Sequence, residues 1–228
     1  MTEKRTQRKS ERKKHYRPWI GFALFWVRLF TRKRKVEGKL VKGPCVYLCR
    51  HRGDDGVIGS FTSLKTVLRP WALHIFTDRK LAIKHFKEFT FSQKAGKGKL
   101  FTTIFSPICG WGLSSLVKSA RAIPVYRGAE ARKSIVTIKN SVRALEEGDQ
   151  LLVFPDVDYA DESEQKNGEI YKGFASVDTL YFRRNQERVK FVPIYLTKEK
   201  IVIHEPVTFG EGTEEETLER IVKGIYNE

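Results

Sequence analysis

His51 is followed three and four positions later by Asp54 and Asp55, in the stretch LCRHRGDDGVIGS (48–60). An imidazole titrates near neutrality and serves as a general base when a carboxylate fixes its tautomer and steadies its charged form. If a helix starts here, each side chain turns by about 100° from the last, so Asp54 and Asp55 flank the face that carries His51. Either acid reaches the imidazole. The competing reading of the same residues is a charged turn between two buried segments. Three further stretches carry groups suited to an anion. ARAIPVYRG (120–128) places Arg127 just past an apolar run, and its planar fork matches a phosphate. VFPDVDYADES (153–163) forms a polar loop opened by Phe154, Pro155 and Asp156. NGEIYKGFASV (167–177) brings Lys172 and Gly173 to an expected helix start, where free amides favour anions.

These groups need a scaffold, and the pattern from residue 43 onward is α/β. PCVYLCR (44–50), WALHIFT (71–77), AIPVYR (122–127), QLLVFP (150–155), VKFVPIYL (189–196) and KIVIHE (200–205) read as short buried strands. Ile135, Ile138, Val142 and Leu145 recur at three- and four-residue steps, which predicts an amphipathic helix over 129–147 with Gly148 as its stop. TEEETLERIVKGIY (213–226) predicts a last helix with acids in the first turn, where the dipole favours them. Strands alternating with helices predict a mostly parallel central sheet flanked by helices. In an open sheet of that kind, reactive groups gather beyond the carboxyl ends of strands, which is where His51 falls. Residues 97–117 are apolar but broken by Gly, Pro, Ser and Thr. They suit a core helix, a lipid-facing surface or the wall of an acyl-chain tunnel, and a core helix is the simplest expectation.

The net charge is +16, and twelve of those charges fall in residues 1–42, where fifteen Lys and Arg face only Glu3, Glu11 and Glu37. Basicity is thus an N-terminal feature and not a property of the domain surface, which argues against a nucleic-acid binder. Residues 1–17 have almost no apolar content and are expected to be disordered. PWIGFALFWVRLF (18–30) is dense in Trp, Phe and Leu between basic flanks. It is shorter than the ~20 apolar residues that span a bilayer, and TRKRK follows it where a signal peptide would have a cleavage site. An amphipathic helix lying on an anionic membrane surface fits best. Cys45, Cys49 and Cys109 are too few for a disulfide framework and imply a reducing compartment. Cys45 and Cys49 share a strand face and read as buried apolar residues. No set of side chains has the spacing of a metal site.

Taken in order, the four blocks resemble the family of lysophosphatidic acid and glycerol-phosphate acyltransferases. That family has His with an Asp five positions on, then aIPVdR, then FPEGTRS with a downstream fkkG, then iVPVyi. Here AIPVYR, VFPDVD, YKGFA and FVPIYL match four pieces over roughly residues 44–196. The chain departs from the pattern in places. Gly56 stands where the family has its Asp, Arg50 replaces the frequent Asn, and Asp156 and Val157 replace the Glu-Gly pair.

The resemblance implies acyl transfer from a thioester, acyl-CoA or acyl carrier protein, to a hydroxyl of a lysophospholipid, most simply 1-acylglycerol-3-phosphate. It implies His51 as the base, Asp55 or Asp54 as its partner, and Arg127, Phe154, Pro155, Asp156, Lys172 and Gly173 on the acceptor. The thioester is the co-substrate, with no metal or further cofactor required. The expected organisation is a basic disordered tail (1–17), an interfacial amphipathic segment (18–42) and an acyltransferase domain (43–228), at the cytoplasmic face of the cell membrane. The altered 154–159 loop also suits a different acceptor, an amino-lipid or a glycolipid. The shortened His–Asp spacing suits a non-catalytic membrane-binding relative.

Overall fold

A computed structural model describes residues 18–31, 33–51, 54–94, 96–126, 133–156 and 170–227. The expected disordered tail and Arg127 lie outside them. The fold is α/β, with a mostly parallel sheet flanked by helices, as the alternation of runs predicts. Contacts gather into two compact units: Leu24–Arg69 with Ile138–Glu228, and Tyr16–Ala23 with Pro70–Thr137.

In the larger unit the strands are β1 (Lys35–Glu37), β2 (Cys45–Cys49), β5 (Gln150–Val153), β6 (Phe191–Leu196) and β7 (Lys200–Ile203), in the order β1-β7-β6-β2-β5. The opening residues of β3 (Leu68–Leu73) continue this order beside β5. β2 is the central strand. It runs parallel to β5 and β6, with Val46 opposite both Leu151 and Phe191. All five of its residues are buried, which is why CVYLC reads as an unbroken apolar run. β6 and β7 pair antiparallel, and β1 joins β7 in parallel at the edge. Residues 18–42 are therefore not all of one kind. Helix α1 (Pro18–Phe30) ends the apolar run, and β1 then enters the sheet.

Helices α2 (Asp54–Ser63), α6 (Ser134–Glu146), α7 (Ala175–Asn185) and α8 (Glu214–Tyr226) complete the order around these strands. Residues 129–132 lie outside the described residues, and α6 accounts for 134–146 of the 129–147 expected. It stops at Gly148, which adopts φ +76° while its N–H donates to the Leu145 carbonyl. α8 opens on a capping box, Thr213 with Glu216, and buries Leu218, Ile221 and Ile225 against β6.

The smaller unit carries the rest of β3, paired in parallel with β4 (Ile123–Val125). Between them come α3 (His74–Thr77), α4 (Arg79–His85), a π-helical stretch (Phe86–Lys94) and α5 (Lys99–Ser119). Two expectations change here. WALHIFT is strand only to Leu73, and His74–Thr77 turn into helix. A short apolar run without alternation has no period that separates the two states. The simplest expectation for 97–117, a core helix, also fails. The segment is a helix, but Leu100, Phe101, Ile104, Phe105, Ile108 and Trp111 are exposed. Its buried positions are the small ones, Thr102, Ser106, Gly110, Ser114 and Ser119.

Candidate active site

The site forms where β2 ends. Cys49 is fully buried, and the chain leaves the sheet through Arg50 and His51 to start α2 at Asp54. His51 is half-buried, and its ring meets Phe154 edge to face with centroids 5.3 Å apart. Phe154 follows the neighbouring parallel strand β5. Two of the predicted residues thus meet because adjacent parallel strands end at the same edge.

The backbone of His51 is fixed from two sides. Its N–H donates to Oδ2 of Asp156. Its carbonyl accepts the Gly56 N–H at 2.9 Å, closing the first turn of α2. That turn leaves no room at position 56. An added Cβ would lie 2.1 Å from the His51 carbonyl oxygen and 2.3 Å from that of Arg50. The glycine is a steric requirement of this turn, and it stands where the resembled family has its acid.

Asp156 is buried, with both carboxylate oxygens occupied. Oδ1 accepts the hydroxyl of Tyr226 at 3.1 Å, in the last turn of α8. The Arg50 guanidinium lies over the Tyr226 ring, 4.9 Å from its centroid. Burial, and then the Asp156 carboxylate, push the Tyr226 phenol up to about 12. At neutral pH it is therefore a donor to the carboxylate.

Asp55 is committed to a cation that the sequence did not single out. Its Oδ1 accepts from Arg34, whose side chain is 6 % exposed and also donates Nε to the Thr197 carbonyl at 2.9 Å. Burial dominates in raising the Cys49 thiol to about 12, and the Asp156 and Asp55 carboxylates add to it. That thiol is no nucleophile at neutral pH.

Of the other candidates, Asp54 opens α2, and its side chain lies outside the described residues. Pro155 is buried, and its carbonyl accepts the Tyr171 N–H at 2.6 Å. This bond, with the bridge between Asp156 and Ile170, brings Lys172 and Gly173 to the Asp156 segment. They open a 3-10 turn (Lys172–Phe174), with Lys172 exposed. Arg34, Arg50 and Tyr226 are the additions the structure makes to the candidate list. Arg34 sits inside the run RKRK (32–35), where nothing local separates it from its neighbours. Among the described residues no three His, Cys, Asp or Glu side chains gather as a metal site requires. No family model, curated protein or solved structure matches the chain.

Proposed function

We propose that the chain is a membrane-associated O-acyltransferase acting on a lysophospholipid hydroxyl. His51 takes the hydroxyl proton as the oxygen attacks an acyl thioester carbonyl. A C–O bond forms, the C–S bond breaks, and the proton passes to the departing thiolate of coenzyme A or acyl carrier protein. A positioned base of this kind contributes about 10²–10⁴-fold. The observation that carries the reading is the setting of His51. It sits at the carboxyl end of a central parallel strand, with its backbone held by Asp156 and its ring against Phe154. The pairing of Asp55 with Arg34 supports Asp54 as the partner of the imidazole, with Asp55 holding the start of α2. The placement of Lys172 supports it as the cation on the acceptor phosphate, Arg127 is assigned from the resemblance alone, and 1-acylglycerol-3-phosphate is the first acceptor to test.

Contact with an anionic membrane, at its cytoplasmic face, is part of the proposal. α1 exposes Phe22, Phe25, Trp26, Leu29 and Phe30, a stripe at three- and four-residue steps. Arg28, itself exposed, donates Nη2 and Nε to the α2 carbonyls of Phe61 and Thr62, at 3.3 and 3.2 Å.

The test is thiol release and lipid mass spectrometry with the purified chain, acyl-CoA and a panel of lysophospholipids, amino-lipids and glycolipids. His51→Ala is expected to abolish product while the protein stays folded. Asp54→Asn is expected to lose more turnover than Asp55→Asn. Product formation by His51→Ala would remove the base. A second reading, a non-catalytic membrane-binding relative, draws on the tight turn at Gly56 and the commitment of Asp55 to Arg34. It predicts vesicle binding with no product from any acceptor.

A further inference from the structure

α5 inverts the arrangement of an ordinary surface helix. Thr102, Ser106, Gly110 and Ser114 recur every four residues and form the buried face. That face packs on α4, and the approach is close: a Cβ at Gly110 would lie 2.7 Å from the backbone of Ile83. The opposite face carries Leu100 (78 % exposed), Ile104 (51 %), Ile108 (60 %) and Trp111 (43 %), beside the stacked pair Phe101 and Phe105. A contiguous apolar face of this kind marks a surface that meets something other than water.

The charges at its ends say what covers it. Lys99–Ser119 contains no acid, and exposed Lys97 and Lys99 stand at one end with Lys118 at the other. A second copy laid face to face would bring these cations together, whereas anionic lipid headgroups complement them at both ends. Trp111 is of the type that settles at the lipid–water boundary. By length and composition α5 is able to cross a membrane, at about 31 Å for 21 residues. Its other face, however, is occupied by α4, which presents exposed Lys80 and Lys84. Those charges belong in the headgroup layer and not in hydrocarbon.

We propose that α5 lies in the plane of an anionic bilayer. Leu100, Ile104 and Ile108 insert among the acyl chains, Trp111 sits at the lipid–water boundary, and Lys97, Lys99 and Lys118 rest on the headgroups. This inference does not depend on the chemistry at His51, and it adds a contact separate from that of α1.

The test uses the full chain carrying Cys109→Ala and Ile108→Cys, labelled with an environment-sensitive fluorophore. Cys45 and Cys49 are buried and stay unlabelled in the native protein. Vesicles of equal parts phosphatidylcholine and phosphatidylglycerol should shift the emission to the blue. Nitroxide deep on the acyl chain should quench it more than nitroxide on the headgroup. Ile104→Glu, in an exposed position that leaves the fold alone, should lower vesicle affinity about ten-fold. A probe that stays in water while the chain is vesicle-bound overturns the proposal for α5 and leaves α1 as the contact. Stronger quenching from the headgroup also overturns it. A blue shift that needs only more protein and no lipid assigns the face to a second copy, and overturns it as well.

Discussion

Replacing Gly56 by alanine tests the turn that sets His51. The new Cβ would fall 2.1 and 2.3 Å from two carbonyl oxygens, well inside any tolerated contact. Both oxygens belong to backbone, so no flexible side chain gives way. Relief requires the first turn of α2 to open, which sacrifices the bond from the Gly56 N–H to the His51 carbonyl. Forced overpacking costs about 1–3 kcal/mol and a lost hydrogen bond about 0.5–1.5 kcal/mol, so Gly56→Ala should destabilise by about 2–4 kcal/mol. That is a large part of the ~5–15 kcal/mol a domain commands. Urea unfolding followed by far-ultraviolet circular dichroism measures it. Gly112→Ala is the contrasting variant. It lies inside α5 with nothing within 4 Å of the added Cβ, and should gain about 0.5–1 kcal/mol from helix propensity. Gly56→Asp would recreate the acid spacing of the resembled family, yet it should unfold more easily still and gain no turnover. If Gly56→Ala unfolds within ~0.5 kcal/mol of wild type, the turn is not built as argued.

Tyr226→Phe removes one of the two donors to the buried Asp156 found among the described residues. A hydrogen bond to a charged group is worth about 1.5–3 kcal/mol, so a loss in that range and faster exchange of the His51 amide are expected by urea unfolding and hydrogen exchange. Unchanged exchange would mean that Asp156 is not supported from α8. The same tyrosine sets an alkaline limit. Its folded-state pKa is raised from the ordinary 10.0 to about 12, so the folded protein holds that proton more tightly than the unfolded chain. The resulting stability is full below pH 10 and is lost as pH rises toward 12. Thermal melting across that window should fall steeply in wild type and less so in Tyr226→Phe. Burial lifts the thiols of Cys45 and Cys49 to about 12, while Cys109 is only half-buried. Native alkylation near neutrality should therefore modify Cys109 alone, with all three reacting after unfolding. Equal rates in the native protein would place the β2 thiols at the surface.

The parts legible in the sequence were those with a local signature. The apolar run of β2, the polar turn after it and the acids opening α8 each state their role within a few residues. The junction of His51 with Phe154 follows from parallel strands ending together, once both are recognised as strands. What stayed hidden depends on distance along the chain. Arg34 meets Asp55 across 21 residues and Tyr226 meets Asp156 across 70, and neither has a local pattern. α5 was hidden for another reason. An apolar helical run looks the same whether its large or its small residues face the protein, and only the burial of its small residues separates the cases. WALHIFT failed because its run of apolar residues carries no period at all.

The attachment of α1 has a mechanical consequence. Its last turns are pinned through Arg28 to the end of α2. The chain beyond it is pinned again by Arg34 at Thr197 and by Lys35 at Glu199, where β1 begins. Only a few residues separate these anchors, so the C-terminal end of α1 is held both to α2 and, through the chain that follows it, to the sheet. Under the proposed function, a lipid surface that receives the Phe25–Phe30 stripe is thereby kept at a limited distance from the end of α2. On the same proposal, a lipid acceptor drawn from that layer reaches His51 from the side on which α1 stands.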